Sequence, residues 1–519
     1  MKKKIQIYQG TKKVDKIINY IPVRYIFALL LTALETILVI GVVVGFSIYI
    51  PYFWVASIVT QFVVVICIVC SNDNPDYKVP WLLFVMLLPI IGYMIYFMFY
   101  KRKLTKKMVK KINKVNDSYT IDDSNELNEL KKVNDLAYSQ AVNLRNISNV
   151  HIYNDTDIKY YPIGEEWFSA VMEDLKQAKS FIFFEFFIVE NGLFWDSILE
   201  VLKEKVKEGV MVKTIWDDIG CMSTLPGHYY KELQKYGIDA IPFSRLKGQA
   251  DNEFNNRNHR KILVIDGNVG FSGGINIADE YINNIVRFGH WKDMGIRLEG
   301  AAVNELTKLF LVDFYSNKKE IDVDFNQFYV QKSYNTNSYV IPFGDGPKPI
   351  YEHSVGKSVI MNMLNQAKKY VYMTTPYLIV DSEMLNAIKN AALRGIDVRI
   401  IVPHIPDKKM VFEFTKDACE TLIKYGVKIY EYEAGFVHGK LYVSDDEIAM
   451  IGTINLDYRS LTHHFENGVW MYNTPAIMDM KQDILNTIDK SIYINDNPIK
   501  VSKFKRLIRF IGRIVSPLL

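Results

Sequence analysis

Cysteine is scarce in this 519-residue chain: Cys67, Cys70, Cys221 and Cys419 are too few and too scattered for a disulfide framework. Cys67 and Cys70 form a CxxC, but in Val/Ile-rich sequence without a matching Cys or His pair, so they read as buried thiols rather than a zinc or redox site. Net charge is small, +4 from 62 basic and 58 acidic residues, and decides little over this length. No small-residue cleavage site follows the basic N-terminus, where Lys2, Lys3, Lys4, Lys12, Lys13, Lys16 and Arg24 stand against Asp15 alone; the segment reads as retained.

What is present begins with three apolar runs, Tyr25 to Ile50, Tyr52 to Cys70 and Trp81 to Tyr100. Each approaches or exceeds the ~20 residues that cross a hydrocarbon core. Tyr49, Tyr52, Trp54, Trp81, Tyr96 and Tyr100 suit interfacial belts. A second basic cluster follows, with Lys101, Arg102, Lys103, Lys106, Lys107, Lys110 and Lys111. Basic flanks on both sides predict a multi-pass cell-membrane protein with an even number of crossings and its globular part on the cytoplasmic face. With three runs visible, one of the first two, the one containing Glu35, is expected to be tilted, interfacial or half of a shallow hairpin about Pro51.

From about residue 151 strand and helix patterns alternate. Phe181 to Ile188 is a continuous apolar strand between helical runs Glu165 to Lys179 and Leu193 to Glu208, and the pattern repeats after residue 350. This predicts an α/β fold of two similar lobes with mixed, largely parallel sheets flanked by helices, behind N-terminal transmembrane helices. The expected boundaries are 1–100 for the membrane anchor, 101–150 for a polar connector, 151–320 and 351–495 for the lobes, 321–350 for their linker, and 496–519 for a C-terminal segment. That last segment mixes Lys503, Lys505, Arg506, Arg509 and Arg513 with Phe504, Leu507, Ile508, Phe510, Ile511 and Ile514; it suits an anionic bilayer surface or docking against the globular part.

The chemistry resides in a repeat. His259 and His438 are each followed two residues later by Lys (Lys261, Lys440) and seven later by Asp (Asp266, Asp445). Gly273 and Gly452 lie fourteen residues past their histidines, Asn276 and Asn455 seventeen past. Such recurrence indicates internal duplication. If the lobes pack about a pseudo-twofold axis, each brings one imidazole to a shared site, one as nucleophile and one as general acid. Lys261, Lys440, Asn276 and Asn455 would then surround a phosphodiester with donors. No carboxylate cluster for magnesium accompanies the motifs, and no metal is expected. Only the second repeat has a hydroxyl, Thr453, where the first has Gly274.

These HxKxxxxD sequences resemble the HKD motifs of the phospholipase D superfamily, and nearly the whole chain is similar to its bacterial cardiolipin synthases. Asn74 to Trp81, Asp217 to Gly220, Trp291 with Asp293, Thr375 to Tyr377, Gly435 to His438, Gly452 to Ser460 and Ser516 to Leu519 carry the likeness. The resemblance implies a two-lobed phospholipase D-type fold and transfer of a phosphatidyl group between two phosphatidylglycerol molecules, giving cardiolipin and glycerol through a phosphatidyl-histidine. It implies catalytic roles for both motifs, no nucleotide or other cofactor, a membrane rather than nucleic acid as partner, and leans to His259 as nucleophile. Glu185 and Glu466 are expected to hold an imidazole in one tautomer or to form buried ion pairs. Asp266 and Asp445 are placed at strand ends, orienting or ion-pairing, and His463 and His464, lacking repeat counterparts, read as structural or surface residues. A hydrolase of the same superfamily, a transferase using another alcohol, and a non-catalytic lipid-binding protein are the competing readings.

Overall fold

The computed structural model describes residues 23–49, 51–99, 106–245, 256–318, 321, 323–332, 334, 336–496 and 502–516. The N-terminal basic stretch, Lys101 to Lys103 and the last three residues lie outside them.

The first lobe holds strands β1 (Thr156–Tyr161), β2 (Phe181–Phe186), β3 (Met211–Asp217), β4 (Asp239–Phe243), β5 (Ile262–Ile265), β6 (Val269–Gly273), β7 (His290–Lys292) and β8 (Gly295–Gly300). The second holds β9 (Tyr339–Asp345), β10 (Tyr370–Thr374), β11 (Leu378–Ile379), β12 (Asp397–Pro403), β13 (Lys428–Tyr432), β14 (Gly435–Val437), β15 (Lys440–Ser444), β16 (Ile448–Gly452), β17 (Leu456–Asp457), β18 (Glu466–Tyr472) and β19 (Ser491–Tyr493). One main sheet runs β1-β8-β6-β5-β2-β3-β4; the other, read from its opposite edge, runs β9-β18-β16-β15-β10-β12-β13-β19. Over seven positions these are the same sheet, with β19 an added edge strand in the second, which makes the duplication structural.

Neither sheet is largely parallel, contrary to the sequence expectation. Only β2-β3-β4 and β10-β12-β13 run parallel; the remaining pairs are antiparallel. The cause is local: β5-β6 and β15-β16 are joined by short turns, and a short turn returns the chain antiparallel, whereas a parallel partner needs a long crossover. Both turns put an aspartate in the left-handed region, Asp266 at φ 52° and Asp445 at φ 57°, a conformation Asp tolerates better than most residues.

Between the sheets lie two related helices. Val303–Ser316, buried along its length, packs on β2, β3 and β5 and reaches β9 of the other lobe; Ala476–Ile488 packs on β10, β13 and β15 and reaches β1. One apolar core therefore crosses the lobe boundary, joining Phe183, Ile262 and Phe310 to Leu441, Val443 and Ile451.

Two expected boundaries shift. The 321–350 linker contains β9, an edge strand of the second sheet. The polar connector is three helices, Lys106–Asn116, Ser124–Val133 and Asp135–Ser148, whose Ile112 and Val115 enter the inter-lobe core while Leu130, Ala141 and Leu144 enter that of the second lobe. The sequence indicates a helical connector there, and the structure adds that these apolar residues are core.

The apolar N-terminus forms helices Val23–Tyr49 and Pro51–Val69. The third run is no single span: it breaks into Pro75–Leu87 and Ile91–Phe99 around Leu88-Pro89-Ile90, where proline lacks the N–H a continuous helix requires. Among the described residues no helix is long and apolar enough to cross a membrane; the described side chains of Val23–Tyr49 begin only at 29 and stop at 45. The multi-pass expectation thus gains no support from the fold. Pro75–Leu87 instead ties the N-terminal part to the second lobe: the Asn74 amide donates to Asp381 at 2.8 Å, the Ser382 hydroxyl to Asp76 at 2.8 Å, and Tyr77 sets its ring edge on Tyr458 at 5.5 Å.

Candidate active site

Each histidine sits on the approach to a central strand, His259 ahead of Ile262–Ile265 and His438 ahead of Lys440–Ser444, and each approach is stitched to the opposite lobe. The His259 N–H donates to Phe465 O at 2.8 Å, immediately before Glu466. The His438 N–H donates to Lys292 O at 2.8 Å, immediately before Asp293, where β14 pairs in parallel with β7. The backbone thereby delivers each imidazole to a carboxylate of the other lobe. His259 Nδ1 lies 2.9 and 3.0 Å from the two Glu466 oxygens, and His438 Nδ1 lies 2.6 Å from Asp293 Oδ2.

All four groups are buried. Burial disfavours the imidazolium more than the carboxylates favour it, and brings His259 down to about 3 and His438 to about 4. Burial opposes ionisation of Glu466 and Asp293 too, but their histidines hold both below the ordinary carboxylate range. The resting site thus has ionised acids accepting Nδ1–H from neutral imidazoles, which leaves Nε2 with its lone pair, as a nucleophile or base requires.

The lysines complete the cluster. Lys261 Nζ donates to His259 O at 2.9 Å; Lys440 Nζ donates to His438 O and lies 3.0 Å from both nitrogens of that ring. Burial, reinforced by Lys440, lowers Lys261 to about 7; burial, opposed by Asp293 and Glu466, lowers Lys440 to about 8. Two ammonium groups confined so closely are poised for an anion.

The remaining expectations divide. Glu466 is where the reading put it, holding His259. Glu185 departs from the clamp reading: it accepts from the Asn258 amide, and burial beside Asp313 raises it well above the usual carboxylate range, so it belongs to the network behind the motif rather than to an imidazole. Asp266 and Asp445 are likewise removed from the cluster. Asp266 accepts the N–H groups of Lys179, Ser180 and Phe181 at 2.7 to 2.9 Å, and Asp445 those of Lys368, Lys369 and Tyr370 at 2.7 to 2.9 Å. They fasten the turn to the start of β2 or β10 and form no ion pair with the motif lysines. Asn276 has both polar atoms engaged, accepting from Ile188 N at 3.1 Å and donating to Tyr281 at 2.7 Å, so its phosphate-binding role is not supported; Asn455 keeps a buried Oδ1 without a protein partner.

Asp293 was missed. Its repeat counterpart, Glu466, was singled out, but the two acids fall at unequal distances past their histidines, so the offset that exposed the duplication did not flag it. Thr453 and Gly274 show why the pair differs. The Thr453 hydroxyl donates to Glu466, whereas a Cβ at Gly274 would stand 2.1 Å from Asp293 Oδ1. Each lobe thus matches its acid with the residue beside it: a longer acid with a hydroxyl, a shorter acid with no side chain. His463 packs edge-on to Tyr77 at 5.6 Å, a structural role. His464, however, faces His259 at 5.7 Å, and with His259 and Glu466 brings three ligand atoms within 4.8 Å of one another. Within that set Glu466 and His259 already bond each other.

A family model for the phospholipase D-like domain of cardiolipin synthase matches residues 171–306 and 360–488, and one for a phospholipase D-nuclease N-terminal region matches 58–99. The chain is 35% identical over 463 residues to a cardiolipin synthase of Alkalihalophilus pseudofirmus, covering 88% of this chain and 91% of that one. The chain belongs to the bacterial cardiolipin synthases of the phospholipase D superfamily. A second relative of that description, from Halalkalibacterium halodurans, is 33% identical over 491 residues, covering 90% and 95% of the two chains. Among solved structures, phosphatidylserine synthase from Haemophilus influenzae superposes with a TM-score of 0.57 at 16% identity over 74% of this chain and all of its own, a likeness of fold. Of the residues in each HKD motif, the histidine and lysine stand together, while the aspartate holds the turn beyond the strand.

Proposed function

We propose that this chain is a membrane-bound phosphatidyltransferase that makes cardiolipin and glycerol from two phosphatidylglycerol molecules. The observation that carries the reading is the crossed arrangement, in which each motif histidine is oriented by an acid of the other lobe. Nε2 of one imidazole attacks phosphorus while the other histidine, protonated as the anionic lipid enters, gives its proton to the departing glycerol oxygen. The P–O bond breaks and a P–N bond forms. The second histidine then takes the proton from the headgroup hydroxyl of another phosphatidylglycerol; that oxygen attacks phosphorus, the P–N bond breaks, the first imidazole is freed as a neutral base, and the second is protonated again, as it was when the first lipid entered. Lys261 and Lys440 balance the charge on the phosphoryl oxygens. Because one phosphodiester is exchanged for another, no nucleotide is consumed.

The apolar runs and their basic flanks support a multi-pass anchor with the lobes on the cytoplasmic side. Supplying phosphatidylglycerol as the sole lipid to the reconstituted protein, followed by mass spectrometry, tests the reaction. Cardiolipin plus glycerol is expected; phosphatidate as the main product would make the protein a hydrolase.

A further inference from the structure

The C-terminal helix, Lys503–Val515, meets the rest of the molecule through its basic side. Lys505 pairs with Glu413 at 2.6 Å, Arg509 with Glu413 at 3.1 Å and Glu420 at 2.6 Å, and Arg513 with Asp417 at 2.6 Å. All three acids belong to the helix Lys409–Ile423 of the second lobe. Gly512 admits the close approach, since a Cβ there would meet the Phe414 ring at 2.1 Å. With 3.6 residues per turn, the opposite side of the helix presents Phe504, Leu507, Phe510 and Ile511, and these are 71%, 54%, 62% and 48% exposed. This inverts the usual amphipathic arrangement, in which the basic side faces anionic headgroups: here most of that charge is spent on the protein's own acids.

The apolar side is not isolated. The helix packs against Pro75–Leu87, whose Val79, Leu83, Met86 and Leu87 are also exposed and which continues from the apolar N-terminal helices. Four large exposed hydrophobes on one helix thus stand beside a helix that carries four more and leads out of the apolar N-terminus, and exposed apolar surface of this kind suits acyl chains. We propose that Lys503–Val515 inserts its apolar side into the acyl edge of the bilayer, clamped to the second lobe by its basic side, so that it binds lipid by burial of apolar surface rather than by headgroup charge. The proposal rests on the membrane association proposed above and names the surface that adds to it. Through Tyr77, which touches Tyr458 and His463, the same surface adjoins the segment leading to Glu466, placing the site close to headgroup depth.

The test uses the full chain with Cys67 and Cys70, which are exposed and not buried as their sequence suggests, replaced by Ala and a nitroxide on Leu507→Cys, reconstituted into vesicles of neutral phosphatidylcholine or of phosphatidylcholine with phosphatidylglycerol. A label on Leu393→Cys, an exposed position of the second lobe, gives the aqueous reference. The ratio of oxygen to water-soluble nickel accessibility at position 507 is expected to exceed that reference by at least about tenfold, in both lipid mixtures and after a high-salt wash. A water-accessible label at 507, in a chain that still floats with the vesicles, overturns the proposal and spares the anchor. A label that enters lipid only in the anionic mixture, and leaves it in salt, overturns it in favour of headgroup attraction. A chain that does not float at all overturns the membrane reading itself. Glu413→Lys with Asp417→Lys, which reverses the clamp, is expected to lower the ratio at 507; no change would show that the ion pairs do not hold the helix in place.

Discussion

The surroundings of the two histidines differ more than their motifs. Behind His259 lies a buried polar network: Arg260 pairs with Asp313 at 2.9 Å, Arg257 with Asp217 at 2.8 Å, and Asn258 bridges Asp313 and Glu185. At the positions flanking His438 stand Val437 and Gly439, and Gly439 packs so tightly on Met294 that a Cβ would meet its methyl carbon at 2.4 Å. One imidazole is framed by hydrogen bonds and charge, its counterpart by apolar packing. The duplicated fold therefore fixes that each imidazole meets an acid of the other lobe but not how each is supported, and a polar frame specifies geometry more strictly than an apolar one because every broken member leaves a buried group unpaired.

That contrast can be broken at several strengths. The largest effect is expected from His259→Ala and His438→Ala, each of which should abolish cardiolipin formation by mass spectrometry while circular dichroism stays native; appreciable turnover by either would mean the site is not shared. Next come the crossed acids. Glu466→Gln and Asp293→Asn should each lower kcat by roughly 10²-fold or more, because the neutral amide no longer holds Nδ1–H and favours the wrong tautomer. Equal losses would mean the two halves are functionally alike despite their different frames.

Exchanging the residues beside the acids sharpens the comparison. Gly274→Thr should disable or unfold the protein, given the 2.1 Å approach of Asp293 to any Cβ, whereas Thr453→Gly, losing one hydrogen bond to a charged group, should cost about 1.5–3 kcal/mol in denaturant unfolding. In pH, the lysines carry the sign. Lowered to about 7 and about 8, Lys261 and Lys440 are charged below those values and neutral above, so kcat/KM should fall as pH rises through that range; a profile flat from pH 6 to about 9 would show that the bound lipid, not the lysine charge, limits the reaction. The smallest catalytic effect belongs to Asp266→Asn and Asp445→Asn, which should weaken thermal stability and leave kcat within about twofold, since both aspartates serve backbone turns.

The sequence by itself determined the duplication, the two lobes, the family and the histidines and lysines of the site, because these follow from spacing along one chain and from strands whose apolar runs are local. It also led to Glu466. What only the tertiary structure decided lies across the lobe boundary. The pairing of His259 with Glu466 joins residues 207 apart and that of His438 with Asp293 residues 145 apart, and no periodicity connects them. The resemblance offers Glu185 as an imidazole clamp or a buried ion pair, yet Asn258 and Asp313 claim it. Strand direction followed turn length rather than the β-then-α rhythm, and the third apolar run was divided by Pro89, whose effect depends on the neighbours that accept a broken helix. The physical reason is common to all of these: local pattern sets which side chains are buried and on which strand they stand, but which buried polar group meets which is settled only when two surfaces close and every donor must find an acceptor.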